Sequence, residues 1–382
     1  MKNFSFHVFQ NVIFGKGSLN RLPEILQKSH EESVFLISDP GLKAVGLVDK
    51  VKDIISGSNI AYHDYLKVQP NPTIDIVEET YQAYKKSGAH SIIALGGGSP
   101  MDVAKAVGVL AAYGGDLNDY AGLNKVPGPI APLIAIPTTA GTGSEVTASS
   151  VITNAATNFK MAIISDHLYP SCALLDPELI MTLPAGIAAA CGVDAFIHAL
   201  EAYLSKEANF FTDAMAEKAM ELIGANIRRF VASRNDEEAA CNMMLGSTFA
   251  GVAFARALLG NVHAMSHPIS GFFGVAHGVA NAILLPTIVE YNALSDNGRY
   301  RRIYNYICPG KKADNSFEPK MLAEVLRQLN LDLGIPASLR EVGVTEESIP
   351  AMAIDAMKSG NILRNPRQTN LRDVELLYRK AL

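Results

Sequence analysis

Two short stretches of the chain collect the residue types that bind metals. In PAGIAAACGVDAFIHALEAYL, residues 184–204, Asp194, His198 and Glu201 interrupt an otherwise apolar run. At helical spacing Ala188, Val193, Phe196, Ile197 and Leu200 leave no broad polar face, so this helix is expected to be buried. Buried charges are costly unless they are paired or hold a metal. Asp194 and His198 are four residues apart, which on a helix brings their Cβ atoms to roughly 5–6 Å on one face. That spacing lets one helix offer two ligands to one ion. On this helix alone, a core ion pair between the two is an equal reading.

The second stretch is GNVHAMSHPISGFFGVAHG, residues 260–278, where three of the chain's nine histidines, His263, His267 and His277, fall close together. His263 and His267 are again four apart. Pro268, Gly271 and Gly274 are expected to break the helix, so that His277 folds back beside them. One carboxylate and two or three imidazoles suit a borderline divalent cation such as Fe(II) or Zn(II).

A different chemistry is suggested by HSIIALGGGSPMDVAKAVGVLAA, residues 90–112. SIIAL reads as a strand and the glycines as a tight loop. Ser99 is the expected N-cap, with Pro100 at the first helical position and Asp102 as the capping-box acid. Strand, glycine loop and helix amino terminus together can cradle a phosphate, though an ordinary capped turn has the same pattern. The run is not GxGxxG, because Met101 stands where the third glycine would. Asp39 also precedes the loop instead of following it by the usual ~20 residues, so a standard Rossmann unit is not supported. A later loop, TTAGTGSEVTAS at 138–149, is rich in hydroxyls and glycines. It suits phosphate or ribose oxygens, or is simply a hydroxyl-rich turn.

The elements that must position these residues split the chain in two. Strands are expected within 4–14 and at 34–38, 60–65, 91–95, 132–137, 159–165 and 172–175, with helices between several of them. From about 178 onward the pattern is helical, with further helices at 209–231, 236–259, 278–292, 317–331, 345–358 and 371–381. The expected fold is therefore an α/β amino-terminal domain, 1–178, and an all-helical carboxyl-terminal domain, 179–382. The phosphate-type loops fall in the first and the metal residues in the second, so a cleft between the domains is the expected active site.

The run GGGSPMDVAKA, the loop PTTAGTGSEVT, GVDAFIHALEAYLS and NVHAMSHPISGFFGVAHGVANAILLP together resemble the iron-dependent (group III) alcohol dehydrogenases. PNPT at 70–73 and NPR at 365–367 agree, and the resemblance runs in order along essentially the whole chain. It implies a dinucleotide-binding domain, a helical metal-binding domain and NAD(P)-linked interconversion of alcohols and aldehydes. It places the metal on Asp194, His198, His263 and His277, with His267 close to the metal and the nicotinamide. It puts Gly97, Gly98 and Ser99 at the pyrophosphate, Thr138, Thr139 and Thr142 in a second cofactor loop, and Lys160 on the nicotinamide side. Asp39 matches an acid near the adenosine ribose. A carboxylate there accepts from a 2′-hydroxyl and repels a 2′-phosphate, which favours NAD over NADP. The implied chemistry is polarisation of the alcohol or carbonyl oxygen by Fe(II), Zn(II) or another divalent metal, with hydride passing to or from nicotinamide C4. His267 is the spare imidazole, a proton relay or substrate-positioning group if it is not simply packed. Phe254, with Phe272 or Phe273, is a candidate wall of the substrate pocket.

Composition narrows the alternatives. The net charge is −5 with no basic block, so nucleic acid is an unexpected partner. No uninterrupted apolar run reaches the ~18 residues that span a bilayer, no continuous signal core opens the chain, and the four cysteines are scattered. A cytoplasmic enzyme, not associated with membranes, is expected, as at least a homodimer assembled through the amino-terminal strand. No arginine stands out as a carboxylate clamp, which favours small neutral alcohols, diols or hydroxyaldehydes as substrates. The rival readings are a zinc-dependent polyol dehydrogenase like glycerol dehydrogenase, a non-redox metal-dependent hydrolase, and a non-catalytic nucleotide-binding protein.

Overall fold

The computed structural model describes residues 11–28, 32–58, 60–155, 159–308, 310 and 312–382. The first part of the expected amino-terminal strand, and with it much of the expected dimer contact, lies outside these residues. Within them the chain forms two compact units. One comprises the residues up to Thr139 together with Ser144–Thr182, and the other comprises Ala140–Gly143 and Leu183–Leu382.

The first unit is built in the order β1 (Asn11–Phe14), α1 (Leu22–Lys28), β2 (Ser33–Ile37), α2 (Pro40–Ala44), α3 (Leu47–Ser56), β3 (Ala61–Tyr65), α4 (Ile74–Ser87), β4 (Ser91–Gly96) and α5 (Gly98–Tyr113). It continues with β5 (Gly122–Leu123), β6 (Leu133–Pro137), β7 (Ser149–Asn154), β8 (Phe159–Ile164) and β9 (Cys172–Leu175). Six strands form one sheet in the order β1-β9-β6-β4-β2-β3, every pair parallel. The central strands are apolar at consecutive positions because both faces are covered. Phe35, Ile37, Ile92 and Ala94 face the α4–α5 layer, while Val34, Leu36, Ile93 and Leu95 face α1 and α3.

From β2 the chain adds β3 on one side and then crosses back to place β4 on the other. The strand order therefore reverses between β2 and β4. Ligands of open parallel sheets bind at such a reversal, outside the carboxyl ends of the strands. Asp39 follows β2, and the glycines at 96–98 run from the last residue of β4 to the first of α5, so they flank this point.

A small second sheet, β5-β8-β7, was only partly legible. SSVITN begins where the hydroxyl-rich loop ends and is not among the expected strands, yet it pairs antiparallel with β8 from Ser149↔Ile164 to Asn154↔Phe159. The start of α5 also differs from expectation. The cap is Gly97, which makes no side-chain capping bond, and Ser99 and Pro100 lie inside the first turn. Gly96, at φ 154°, has already turned the chain, and a Cβ there would stand 2.5 Å from Pro100 Cγ. Asp102 is not a capping acid; its Oδ1 accepts from the Ser144 hydroxyl at 3.2 Å.

The second unit contains α6 (Ala185–Leu204), α7 (Phe210–Ala232), α8 (Glu237–Ala257), α9 (Asn261–Phe273), α10 (His277–Asn292), α11 (Arg299–Ile307), α12 (Pro319–Asp332), α13 (Ile349–Ala356) and α14 (Leu371–Ala381). Helix α6 packs against α7, α8 and α10. By length and composition it could cross a membrane, but 83% of its most apolar window is buried inside the protein. With Asp194, His198 and Glu201 all buried on it, α6 is a core helix. Helix α9 does not break at Pro268 or Gly271, as expected from sequence, but at Gly274, where φ is 67°. The turn around Pro268 lacks one N–H donor, and Tyr378 Oη donates to Met265 O at 2.6 Å in that turn. His277 is then the first residue of α10. Helix α11 lies between the expected helices at 278–292 and 317–331.

Candidate metal centre and cofactor loops

Three elements of the helical unit bring the metal-type residues together. Helix α6 carries Asp194 and His198, the first turn of α9 carries His263, and α10 opens on His277. One ligand atom each from Asp194, His263 and His277 lie within 4.8 Å of one another. His198 stands beside this trio, its ring stacked on that of His263 with centroids 4.6 Å apart and its Nδ1 4.0 Å from Asp194 Oδ2. His267 is half-buried outside the trio, its ring 5.3 Å from that of His277. Phe254 stacks on the other histidine, His198, at 4.4 Å, while Phe272 is exposed.

The orientation of the imidazoles follows from what their Nδ1 atoms meet. His198 Nδ1 lies 3.3 Å from Gly141 O, and His263 Nδ1 lies 2.7 Å from Glu201 Oε2. His277 Nδ1 makes a longer approach, 3.5 Å, to the Ser266 hydroxyl. With Nδ1 occupied by an oxygen partner, Nε2 is left as the ligating nitrogen. His263 Nε2 is 3.6 Å from Asp194 Oδ1. Both His263 Nε2 and His277 Nε2 approach the same atom, Asn281 Nδ2, at 3.2 and 3.1 Å, and that amide donates to Asp194 Oδ1 at 2.7 Å.

The electrostatics agree with this arrangement. Burial favours the neutral form of Asp194, but His198, His263 and His277 hold it well below the usual carboxylate range. Burial outweighs Asp194 at His198 and lowers it to about 4, so that imidazole is neutral at physiological pH. Burial also pulls His263 down, but Asp194 and Glu201 more than reverse this and raise it to about 9. His263 thus carries a proton on each nitrogen, Nδ1–H toward Glu201 and Nε2–H toward Asp194, and a cation facing Nε2 would displace the second.

The donor set therefore fits a borderline divalent cation: a carboxylate oxygen and imidazole nitrogens converge on one point. The atom at that point, the Asn281 amide nitrogen, donates to Asp194 Oδ1 and lies within 3.2 Å of the Nε2 atoms of His263 and His277. Asn281 Oδ1 is among the buried polar atoms without a hydrogen-bond partner.

In the α/β unit, Asp39 caps α2, accepting from Leu42 N–H at 2.9 Å through Oδ1. Gly97 leaves room for Thr139, whose side chain would stand 3.3 Å from a Cβ at that position. Thr138 is buried and its N–H donates to Gly96 O at 3.0 Å, which joins the two loops. Lys160 donates to Asn71 Oδ1 at 2.7 Å, and burial lowers its pKa. Thr142 lies in the short segment 140–143 that groups with the helical unit. Gly98 and Ser99 form the uncapped first turn of α5.

Residues 10–177 match the family described as iron-containing alcohol dehydrogenase, and residues 188–382 match the carboxyl-terminal region of the Fe-containing alcohol dehydrogenase family. The chain belongs to the iron-containing alcohol dehydrogenase family. It is 38% identical over 371 residues to a 1,3-propanediol dehydrogenase of Citrobacter freundii, covering 96% of each chain. It is 35% identical over 373 residues to an NAD-dependent methanol dehydrogenase of Bacillus methanolicus, covering 97% of each. Its fold superposes on that of an alcohol dehydrogenase from Oenococcus oeni with a TM-score of 0.95, at 34% identity and with both chains fully covered. As a member of the iron-containing alcohol dehydrogenases it is a metal-dependent, NAD-linked oxidoreductase of alcohols and aldehydes. Membership sets aside the hydrolase and scaffold readings.

Four participants in this iron-containing alcohol dehydrogenase site went unassigned in the sequence. Glu201 carries the same signal as Asp194 and His198, a charge in an apolar helix, but its partner is 62 residues away. Asn281, Ser266 and the Gly141 carbonyl carry no such signal. Neutral polar groups become visible only once α9, α10 and the 140–143 segment are in place.

Proposed function

We propose that Asp194, His263 and His277, with His198 beside them, hold the Fe(II), Zn(II) or related ion of a dehydrogenase for small primary alcohols, diols or hydroxyaldehydes. The observation that carries this reading is the convergence of three ligand atoms within 4.8 Å, those of Asp194 and His263 on buried residues and that of His277 on a half-buried one. When bound, the ion supplies Lewis-acid polarisation of an alcohol or carbonyl oxygen and NAD supplies or takes up the hydride. Asp194 provides the one anionic ligand. The neutral imidazoles keep the net charge of the centre positive, which favours an alkoxide over an alcohol. Phe254, flat against His198, offers an apolar face that suits a short carbon chain. His267 is the relay or positioning group, an imidazole next to His277 but outside the ligating set.

The amino-terminal domain takes the dinucleotide. Gly97, Gly98 and Ser99 present the α5 amino terminus to the pyrophosphate, Thr138, Thr139 and Thr142 supply hydroxyls, and Lys160 stands on the nicotinamide side. Asp39 uses one carboxylate oxygen as a helix cap and keeps the other for the ribose 2′-hydroxyl, so NAD is preferred to NADP. The enzyme is cytoplasmic and at least a homodimer. Strand β1 is an edge that pairs on one side only among the described residues, with Val12 and Phe14 exposed on it.

The test is to strip the protein with chelator, reload it with Fe(II) or Zn(II), and follow NADH absorbance with a panel of short alcohols, diols and aldehydes. Turnover is expected only in the loaded wild type and not in Asp194→Asn. Equal turnover by the stripped protein, or full metal content in Asp194→Asn, would reject the site.

A further inference from the structure

We infer that Glu201 is the positioning residue that makes His263 a metal ligand, an inference that rests on the metal reading above. Glu201 sits on α6, 5% exposed, two turns from Asp194. It does two things at once. At the amino terminus of α9, Gly260 provides no side-chain cap. Instead Glu201 Oε1 accepts from Val262 N–H at 2.7 Å, Oε2 lies 3.4 Å from His263 N, and Asn365 Oδ1 accepts from Asn261 N–H at 3.3 Å. A carboxylate against uncapped N–H groups also complements the helix dipole. The fit is close: a Cβ on residue 260 would stand 3.0 Å from Glu201 Oε1 and 3.1 Å from Asn365 Oδ1, so the chain has glycine there.

The second job is at His263. Glu201 Oε2 accepts from its Nδ1–H at 2.7 Å, which pins that proton and leaves Nε2 toward Asp194. Acceptor-only oxygens at both ends are what the two jobs need, and among uncharged side chains none of this shape has them. A glutamine that turned its oxygen to Val262 N–H would turn its NH₂ to His263 Nδ1. The imidazole would then have to accept at Nδ1 and carry its proton on Nε2, the nitrogen the metal needs. The opposite rotamer sets NH₂ against Val262 N–H and uncaps the helix. Backbone position of α9 and tautomer of His263 are thus fixed by one group.

The experiment compares Glu201→Gln, Glu201→Ala and His263→Ala after chelator treatment, measuring Zn(II) affinity by competition titration, bound metal by elemental analysis, and melting of the metal-free protein. Glu201→Gln is expected to bind Zn(II) roughly 10–100-fold more weakly, the range for loss of a ligand's outer partner, while its metal-free form, which can keep the cap on α9, melts above that of Glu201→Ala. Glu201→Ala is expected to lose the same affinity and to melt earlier, having lost the cap as well. If Glu201→Gln binds Zn(II) as tightly as wild type while His263→Ala does not, Glu201 is only a cap and the inference is wrong. If His263→Ala itself binds as wild type, the metal reading fails and the inference with it. Histidine nitrogen NMR of the zinc-loaded wild type tests the tautomer without any variant: a proton on His263 Nδ1 is expected, and one on Nε2 overturns the inference.

Discussion

The two units each bury a charged centre, and the two centres are built in opposite ways. In the α/β unit Lys105 is fully buried on α5, and its ammonium group faces five oxygens. These are Ser144 O at 2.7 Å, Ser144 Oγ at 3.0 Å, Thr147 O at 3.0 Å, Thr147 Oγ1 at 3.3 Å and Ser149 O at 2.9 Å. Asp102 completes the knot through Ser144 Oγ. In the helical unit the carboxylates of Asp194 and Glu201 flank His263, and the atom between Asp194 and the imidazoles of His263 and His277 is the neutral amide nitrogen of Asn281. One centre carries its cation as a fixed ammonium. The other meets its two carboxylates with a proton on His263 that a metal would displace, and with the Asn281 amide. Buried charge therefore says little about function by itself. What separates architecture from a ligand site is whether the positive charge that answers the convergent lone pairs is fixed, as on Lys105, or is a proton on a ligating nitrogen that a metal can displace.

Removing the cation from the knot should have the larger effect on stability. Lys105→Met keeps the length of the side chain and strips all five oxygens of their shared donor, and Asp102 loses its positive neighbour. Breaking a buried charged network in this way costs roughly 3–5 kcal/mol. Denaturant unfolding of the α/β unit should show this loss, while the metal content of folded Lys105→Met stays that of wild type. A variant that unfolds like wild type would mean that the knot is ornamental, and one that folds but loses its metal would mean that the two centres are not distinct.

The contrast also explains what the sequence revealed. Asp194, His198 and the histidines at 263 and 277 are legible because ionisable residues in apolar runs are rare enough to stand out. Lys105, in VAKAVGVLAA, stands out less, because a lone lysine on a helix is ordinarily a solvated one. The parallel sheet was legible from its short apolar runs, whose double burial removes alternation. Strand β7 was not, because its identity rests on a cross-strand partner and not on its own composition. Likewise Ser99 has the chemistry of a cap, but Gly96 bends the chain three residues earlier and the helix starts before Ser99 is reached. Local preference decided the elements; tertiary contact decided their ends and the groups that orient the ligands.

A smaller effect separates the amide from a structural hydrogen bond. Asn281→Ala removes the donor to Asp194 Oδ1, a hydrogen bond to a charged acceptor worth about 1.5–3 kcal/mol. The loss should be seen in the metal-free protein. In the zinc-loaded protein it should largely vanish, because the ion takes over the neutralisation of Asp194. Melting curves of wild type and Asn281→Ala, each with and without Zn(II), measure the difference. An equal penalty in both states would make Asn281 a plain core residue and erase the contrast with Lys105.

The smallest effect is a stability that rises through the alkaline range, a sign that belongs to the knot and not to the metal centre. Burial lowers Lys105 from its usual 10.5 to about 8, against the opposing pull of Asp102 and Glu145, and burial raises Asp102 to about 6. Between pH 8 and 10.5 the unfolded chain holds a proton on this lysine that the folded chain has released, so ν is larger for the unfolded state and stability rises with pH. Below pH 8 both states are protonated and the full cost of burying the ammonium remains. From pH 7 to pH 9 this one residue should therefore stabilise wild type by about 1 kcal/mol relative to Lys105→Met. His263, raised to about 9, gives the reverse sign: its contribution to the metal-free protein is complete below pH 6.5 and is lost as pH passes 9. Measuring the wild-type minus Lys105→Met difference with zinc bound removes that opposing slope. A difference that stays flat or falls between pH 7 and pH 9 would mean that the ammonium is so well matched by its five oxygens that burial does not depress it at all.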